Sequence, residues 1–191
     1  MIAGKITVLL LVSICTLMLS CSKSTELSKQ EKSLLLTEQN FANDLPNIGH
    51  KKLGKYSKEF SYLEHSTTLD YEVTRNSTFY LMNTFSLSKN ASDAIKTAFA
   101  LRTGAIIGVK VGDITDEEIP LINQFGGKAT LMLLKMDNQP VGNIFSYVYE
   151  NKIWFVILTG LYFDNEQDFT HYFAAHLSKI KAFKQFENSH Y

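Results

Sequence analysis

Ile153-Trp154-Phe155-Val156-Ile157-Leu158-Thr159-Gly160-Leu161-Tyr162-Phe163 carries no charge, and nine of its eleven side chains are large and apolar. Successive side chains of a strand point to opposite faces, so a strand of this composition is apolar on both. It must be covered on both sides, unlike the half-wet strands of open hairpins. Full burial of its large side chains is worth on the order of 15–25 kcal/mol before conformational entropy is subtracted. The architecture this requires is a sheet between two helical layers.

Downstream, Asp164 reads as the cap of a last helix, with Gln167 at the capping-box position. Phe169, Phe173, Leu177 and Ile180 make its buried face, and residues 186–191 form a frayed tail. Upstream, Lys128 to Met136 and Val141 to Tyr149 are strands joined by a turn at Asp137-Asn138-Gln139-Pro140. With the apolar strand they form a three-strand meander. Thr68 to Arg75 and Phe79 to Leu87 alternate as a hairpin around Asn76-Ser77, with Leu69, Tyr71, Val73, Phe79, Leu81, Phe85 and Leu87 facing inward. Asn76-Ser77-Thr78 matches a glycosylation sequon but reads as a turn.

Between hairpin and meander, Asn90 caps a helix with Asp93 in its first turn, and Ile95, Ala98, Phe99, Ile106 and Val109 give it an apolar face. A second stripe, Ala100, Gly104, Gly108 and Gly112, recurs every fourth residue. Glycine inside a helix costs about 1 kcal/mol, so close packing against the sheet, a helix or a second copy should compensate. Alternatively Gly104 or Gly108 ends the helix and Ala105 to Val111 is strand-like. Within Asp113 to Gly127, Thr115 and Glu118 have capping-box spacing for a short helix or turn broken by Pro120.

Near the start, Leu27, Leu34 and Phe41 recur at seven-residue spacing, so a helix is expected within Ser33 to Leu45, ending before Pro46. Pro46 to Ser66 reads as a loop. Its basic run His50-Lys51-Lys52, with Lys55 and Lys58, is either solvated or laid against anionic headgroups. The expected fold is α+β: an antiparallel sheet (hairpin plus three-strand meander) with helices covering both faces, in the order ββαβββα after an N-terminal helix. The expected boundaries are residues 34–66 for the N-terminal helix and loop and 67–185 for the sandwich. This element order resembles the PsbP-like α/β/α sandwich of photosynthetic lumen proteins and small bacterial lipoproteins. The resemblance implies a binding or assembly factor and carries no functional residue with it.

Lys5 followed by the apolar run Ile6 to Leu19 has the form of an export signal over residues 1–20, too short to span a bilayer comfortably. Met18-Leu19-Ser20-Cys21 resembles the lipobox of bacterial lipoproteins. Met18 stands where Leu is usual and Leu19 where a small residue is usual, while Ser20 and Cys21 fit. The resemblance implies cleavage before Cys21, acylation of that cysteine, and a polar tether over residues 21–33. Three acyl chains satisfy the two-signal requirement for stable anchoring. Ser22 after the cysteine resembles lipoproteins forwarded to the outer membrane, facing the periplasm. Cys15 would leave with the signal, so the exported domain would rely on its core rather than on disulfides.

Lys plus Arg and Asp plus Glu each number 19 and only Arg75 and Arg102 are arginines, so nothing indicates nucleic-acid binding. His171 and His176 share a helix, but five-residue spacing places them far apart around it. No metal site, cofactor fingerprint or catalytic motif appears. Asp113, Asp116, Glu117 and Glu118 lack the alternating order of a calcium loop. Arg102 lies beside the apolar helix face; it either pairs with a carboxylate or anionic ligand, or packs its stem and reaches water. The expected function is a non-enzymatic envelope module. It would bind the bilayer through Cys21 and a protein or apolar ligand through its domain. A secretion-system or toxin-neutralising lipoprotein and an envelope hydrolase are the alternatives. An exposed apolar patch would favour a protein partner, a deep aromatic cavity an apolar ligand, and a polar pocket with shifted pKa values an enzyme.

Overall fold

The computed structural model describes residues 26–44, 54–61, 65–75 and 79–186. The signal and lipobox, the basic run at His50, the Asn76 turn and the last residues of the tail lie outside them. A seven-stranded antiparallel sheet has the order β1-β2-β3-β7-β6-β5-β4: β1 (Lys55–Ser61), β2 (Ser66–Arg75), β3 (Phe79–Leu87), β4 (Ile114–Ile119), β5 (Lys128–Met136), β6 (Gln139–Tyr149) and β7 (Lys152–Thr159). Short helix α1 (Lys29–Lys32) and a 3-10 turn (Glu38–Phe41) precede it. Helix α2 (Ala91–Val111) links β3 to β4, and α3 (Glu166–Ala182) follows β7.

The apolar stretch is the middle of the sheet. β7 pairs with β3 on one side and β6 on the other. Trp154, Val156 and Leu158 face a core shared with Phe169, Phe173, Leu177 and Ile180 of α3. Phe155 and Ile157 face the α2 side, with Leu101, Ala105 and Val109, while Ile153 meets Ala94 and Ala98. The strand stops at Thr159, because Gly160 adopts φ 86° and turns the chain away; Phe163 is buried beyond the turn and Tyr162 is exposed.

The strand order corrects the expected ββαβββα to βββαββββα. Both additional strands lie at sheet edges. β1 (Lys-Tyr-Ser-Lys-Glu-Phe-Ser) and β4 (Ile-Thr-Asp-Glu-Glu-Ile) are short and charged, as edges that resist further pairing are. Thr115 and Glu118, read as a capping box, are residues of β4. The last helix starts one residue later than expected: Asn165, not Asp164, accepts the Asp168 N–H at 2.9 Å. Asn90 does cap α2, accepting from the Asp93 N–H at 2.9 Å, and the helix runs through both Gly104 and Gly108.

No α-helix forms within residues 33–44, where one was expected; a single 3-10 turn, Glu38–Phe41, lies there. Leu34, Leu35 and Leu36 are all buried, which one face of a helix cannot provide. Residues 26–44 instead form a strap over β1–β3 on the α3 side of the sheet, burying Leu27 and Phe41 as well. Among the described residues the first buried apolar side chain is Leu27, inside the stretch read as a tether, and the last is Phe186.

Candidate functional site

Among the described residues three surfaces are candidates for a site. Asn143, Phe145, Val156, Leu158, Phe163, Phe169 and Phe173 surround a void of only about 10 Å³, too small for a ligand. The aromatic residues there fill one another's space: Phe145 and Phe169 rings lie 4.5 Å apart, and Phe169 and Phe173 4.6 Å apart.

The first surface is the outer side of α2. Its inner side is set by Ala94, Ala98, Leu101, Ala105 and Val109. The expected apolar face was therefore partly rotated: Ile95 is 41% exposed and Phe99 61%, and Ile107 and Val111 are 60% and 63% exposed. Helical spacing sets Phe99, Thr103 and Ile107 along the outermost stripe, with Lys96 and Lys110 at its ends. The glycine stripe does not make one contact face. Each four-residue step overshoots a turn by about 40°, so the stripe winds from outside to inside. Ala100 is exposed, a Cβ on Gly104 would meet nothing within 4 Å, and Gly108 and Gly112 are buried. Close packing at Gly104 is thus absent, and Gly104 leaves a valley beside the exposed ridge.

Arg102 projects from the flank of α2 towards β5. It is half-buried, donates to Thr130 Oγ1 at 3.3 Å and lies 5.8 Å from the Phe99 ring; no carboxylate among the described residues pairs with it. Cys21 lies outside the described residues. Among those residues no group of three potential ligands could hold a metal, and no helix is long and apolar enough to cross a membrane.

The second surface is the α2 side of β1–β3, where cross-strand polar pairs replace apolar ones. Thr68 and Ser86 hydroxyls meet at 3.1 Å, Thr84 Oγ1 donates to Asp70 at 2.6 Å, and Tyr80 donates to Glu72 at 3.1 Å. Burial pushes the Asp70 carboxyl up to about 6; the Thr84 bond opposes this and Glu59 and Glu72 add to it. At one end, where α2 begins, an open cleft of about 320 Å³ is lined by His65, Ser66, Ser88, Lys89, Asp93, Lys96 and Thr97. Lys96 and Asp93 are 3.6 Å apart within it.

The third is the seat of the strap. Asn83 is fully buried at the middle of β3, and its Oδ1 accepts both the Leu36 N–H at 3.0 Å and the Trp154 Nε1–H at 2.9 Å. His176 on α3 meets the Leu34 carbonyl through Nε2 at 3.1 Å, which requires the Nε2–H tautomer. Burial lowers the His176 pKa to about 4, the Leu34 bond opposing. Tyr71 donates a hydrogen bond to the buried carboxylate of Glu38, and Lys58 reaches Glu31 at 2.5 Å. Burial alone would raise the Glu31 pKa, but bonds from Lys58 and the Ser28 N–H bring it below its usual value. Sequence reasoning missed Asn83, although it is the polar interruption in an otherwise apolar alternation from Phe79 to Leu87. No protein-family model, curated protein or solved structure matches this chain.

Proposed function

We propose that the chain is a non-enzymatic binding module of the bacterial envelope. It hangs from an acylated Cys21 at the periplasmic face of the outer membrane and docks a protein partner on the outer side of α2. The observation that carries this reading is the exposure of Phe99 and Ile107 at the centre of a long, fully formed helix. An apolar ridge of this kind, beside the valley at Gly104, fits the ridge of a partner helix. Lys96 and Lys110 at its ends are largely exposed and held only in surface pairs, with Asp93 at 3.6 Å and Asp116 at 3.3 Å, which a partner's acidic flanks would join or replace. The two lysines disfavour a second copy, since antiparallel helices would set Lys96 against Lys110. The helix–sheet–helix layering is in keeping with a PsbP-like sandwich.

The tether supports this orientation. From Cys21 to Glu26 the chain spans at most about 18 Å. The strap it leads into lies on the α3 side of the sheet, while the outer side of α2 stands roughly two interlayer spacings of about 10 Å away. An anchor of that reach holds the strap side towards the bilayer and turns α2 away from it. The test is metabolic labelling with an alkyne fatty acid, followed by fractionation. Label and outer-membrane recovery should both vanish in Cys21→Ser. Label that persists in this variant would refute the anchor.

A further inference from the structure

The strap is held as a bound peptide is held. It contains only one turn of α-helix and one of 3-10 helix, and its Leu34–Leu36 stretch is fixed by side chains of the body that grip its backbone. Asn83 takes the Leu36 N–H and His176 takes the Leu34 carbonyl, two residues apart. Because both neighbours of Asn83 Oδ1 are N–H donors, the orientation of the amide is fixed. Its Nδ2 is then left as a buried side-chain nitrogen with no acceptor, the only such polar atom among the described residues.

That idle donor sits on the same amide that grips the strap. An asparagine can give an N–H and accept one from an extended backbone, as a neighbouring strand would. The strap uses half of this capacity and turns into the 3-10 segment directly after Thr37. The seat also supplies two polar partners at fixed places, Lys58 for the carboxylate of Glu31 and Tyr71 for that of Glu38. We propose that the groove floored by β1–β3 and walled by α3 is a peptide-binding site held shut in cis by residues 26–44. Its occupant in trans is an extended, leucine-rich segment of a partner protein, with a carboxylate two residues beyond its last leucine. Such a segment would stay extended across Asn83 and satisfy Nδ2 as well as Oδ1.

The test uses the full chain in detergent micelles with a site-specific protease sequence inserted between Asn47 and Ile48. After cleavage no covalent link joins the strap to the body, and noncovalent contacts such as those at Asn83 and His176 must retain it. The probe is a fluorescein-labelled synthetic peptide of residues 26–44. Saturable anisotropy with exchange of the resident strap is expected. Binding should weaken by roughly a thousandfold or more for a peptide carrying Leu34→Ser, Leu35→Ser and Leu36→Ser, since each leucine lost from a buried seat is worth tenfold or more. A cleaved protein that stays folded but never exchanges, or that binds the serine peptide equally, overturns the proposal. Hydrogen exchange on the uncut chain gives a second readout that does not need the cleaved form to survive. The Leu36 amide should open before those of β3 and β7, and opening only with global unfolding overturns the proposal. Concentration-dependent dimers with exchanged straps would make a second copy the occupant and overturn the assignment to a foreign segment.

Discussion

Asn83→Ala removes one oxygen that satisfies two buried donors, the Leu36 N–H and the Trp154 Nε1–H. A buried donor left without an acceptor costs about 1–3 kcal/mol, so the two together lose roughly 2–6 kcal/mol. The substitution also deletes the unpartnered Nδ2, which returns about 1–3 kcal/mol. A net loss of about 1–3 kcal/mol is expected, or a drop in Tm of roughly 2–12 °C for a domain of this size. The assay is thermal and urea unfolding followed by far-UV circular dichroism and by tryptophan emission. Trp154 is the only tryptophan of the chain, and its indole bonds to the deleted oxygen, so it reports the site directly. Its emission should shift before the sheet signal changes, because the strap loses its grip first. A variant within about 0.5 kcal/mol of the parent, with unchanged emission, would refute the view that this amide fastens strap to sheet.

Acid should act through two groups of opposite sign. Asp70, raised to about 6, favours the folded state as pH falls from 6 towards 4, whereas His176, lowered to about 4, disfavours it as pH falls from 6.5 to 4. Each shift corresponds to about 3 kcal/mol, so they nearly cancel. Asp70→Asn should be more stable than the parent at pH 7 and unmask a loss of stability on acidification, read by urea midpoints at pH 7, 5.5 and 4.5. Gly104→Ala meets open space on α2 and should stabilise by about 1 kcal/mol. Gly142→Ala places a Cβ 2.1 Å from the Leu158 carbonyl oxygen and should abolish soluble expression or lower Tm sharply. Phe99→Ser should leave the urea midpoint nearly unchanged, since its side chain is mostly in water, and a large destabilisation would show that the outer side of α2 is covered in the isolated chain.

How much of this was legible in the sequence follows from where the determining contacts lie. β7 could be read because its partners on both faces are generic hydrocarbon, and composition alone demanded them. The β2–β3 pair and the inner face of α3 were legible through short periods, two and about 3.6 residues. β1 and β4 were not: an edge strand needs no apolar alternation, and their charges imitate a loop or a helix start. The strap was misread as a helix because seven-residue spacing is shared by chance, while its real fasteners, Asn83 and His176, are 47 and 142 residues away from the backbone groups they hold. The helical faces of α2 were ambiguous because apolar residues occur nearly all round it, so only the sheet's position decides which are covered. Of the surfaces, Arg102 and the glycine stripe drew attention through unusual residue types. The polar ladder on β2–β3 drew none, because hydroxyls in a strand are ordinary until their cross-strand partners are known.

A photo-crosslinking residue placed at position 99 of the lipidated chain, irradiated in its native envelope, tests the docking face most directly. One protein adduct is predicted, lost when Ile107→Lys is added and absent when the same probe replaces Lys179 on the other layer. Adducts to lipid alone, or a protein adduct indifferent to Ile107→Lys, would contradict the assignment of α2 as the partner surface.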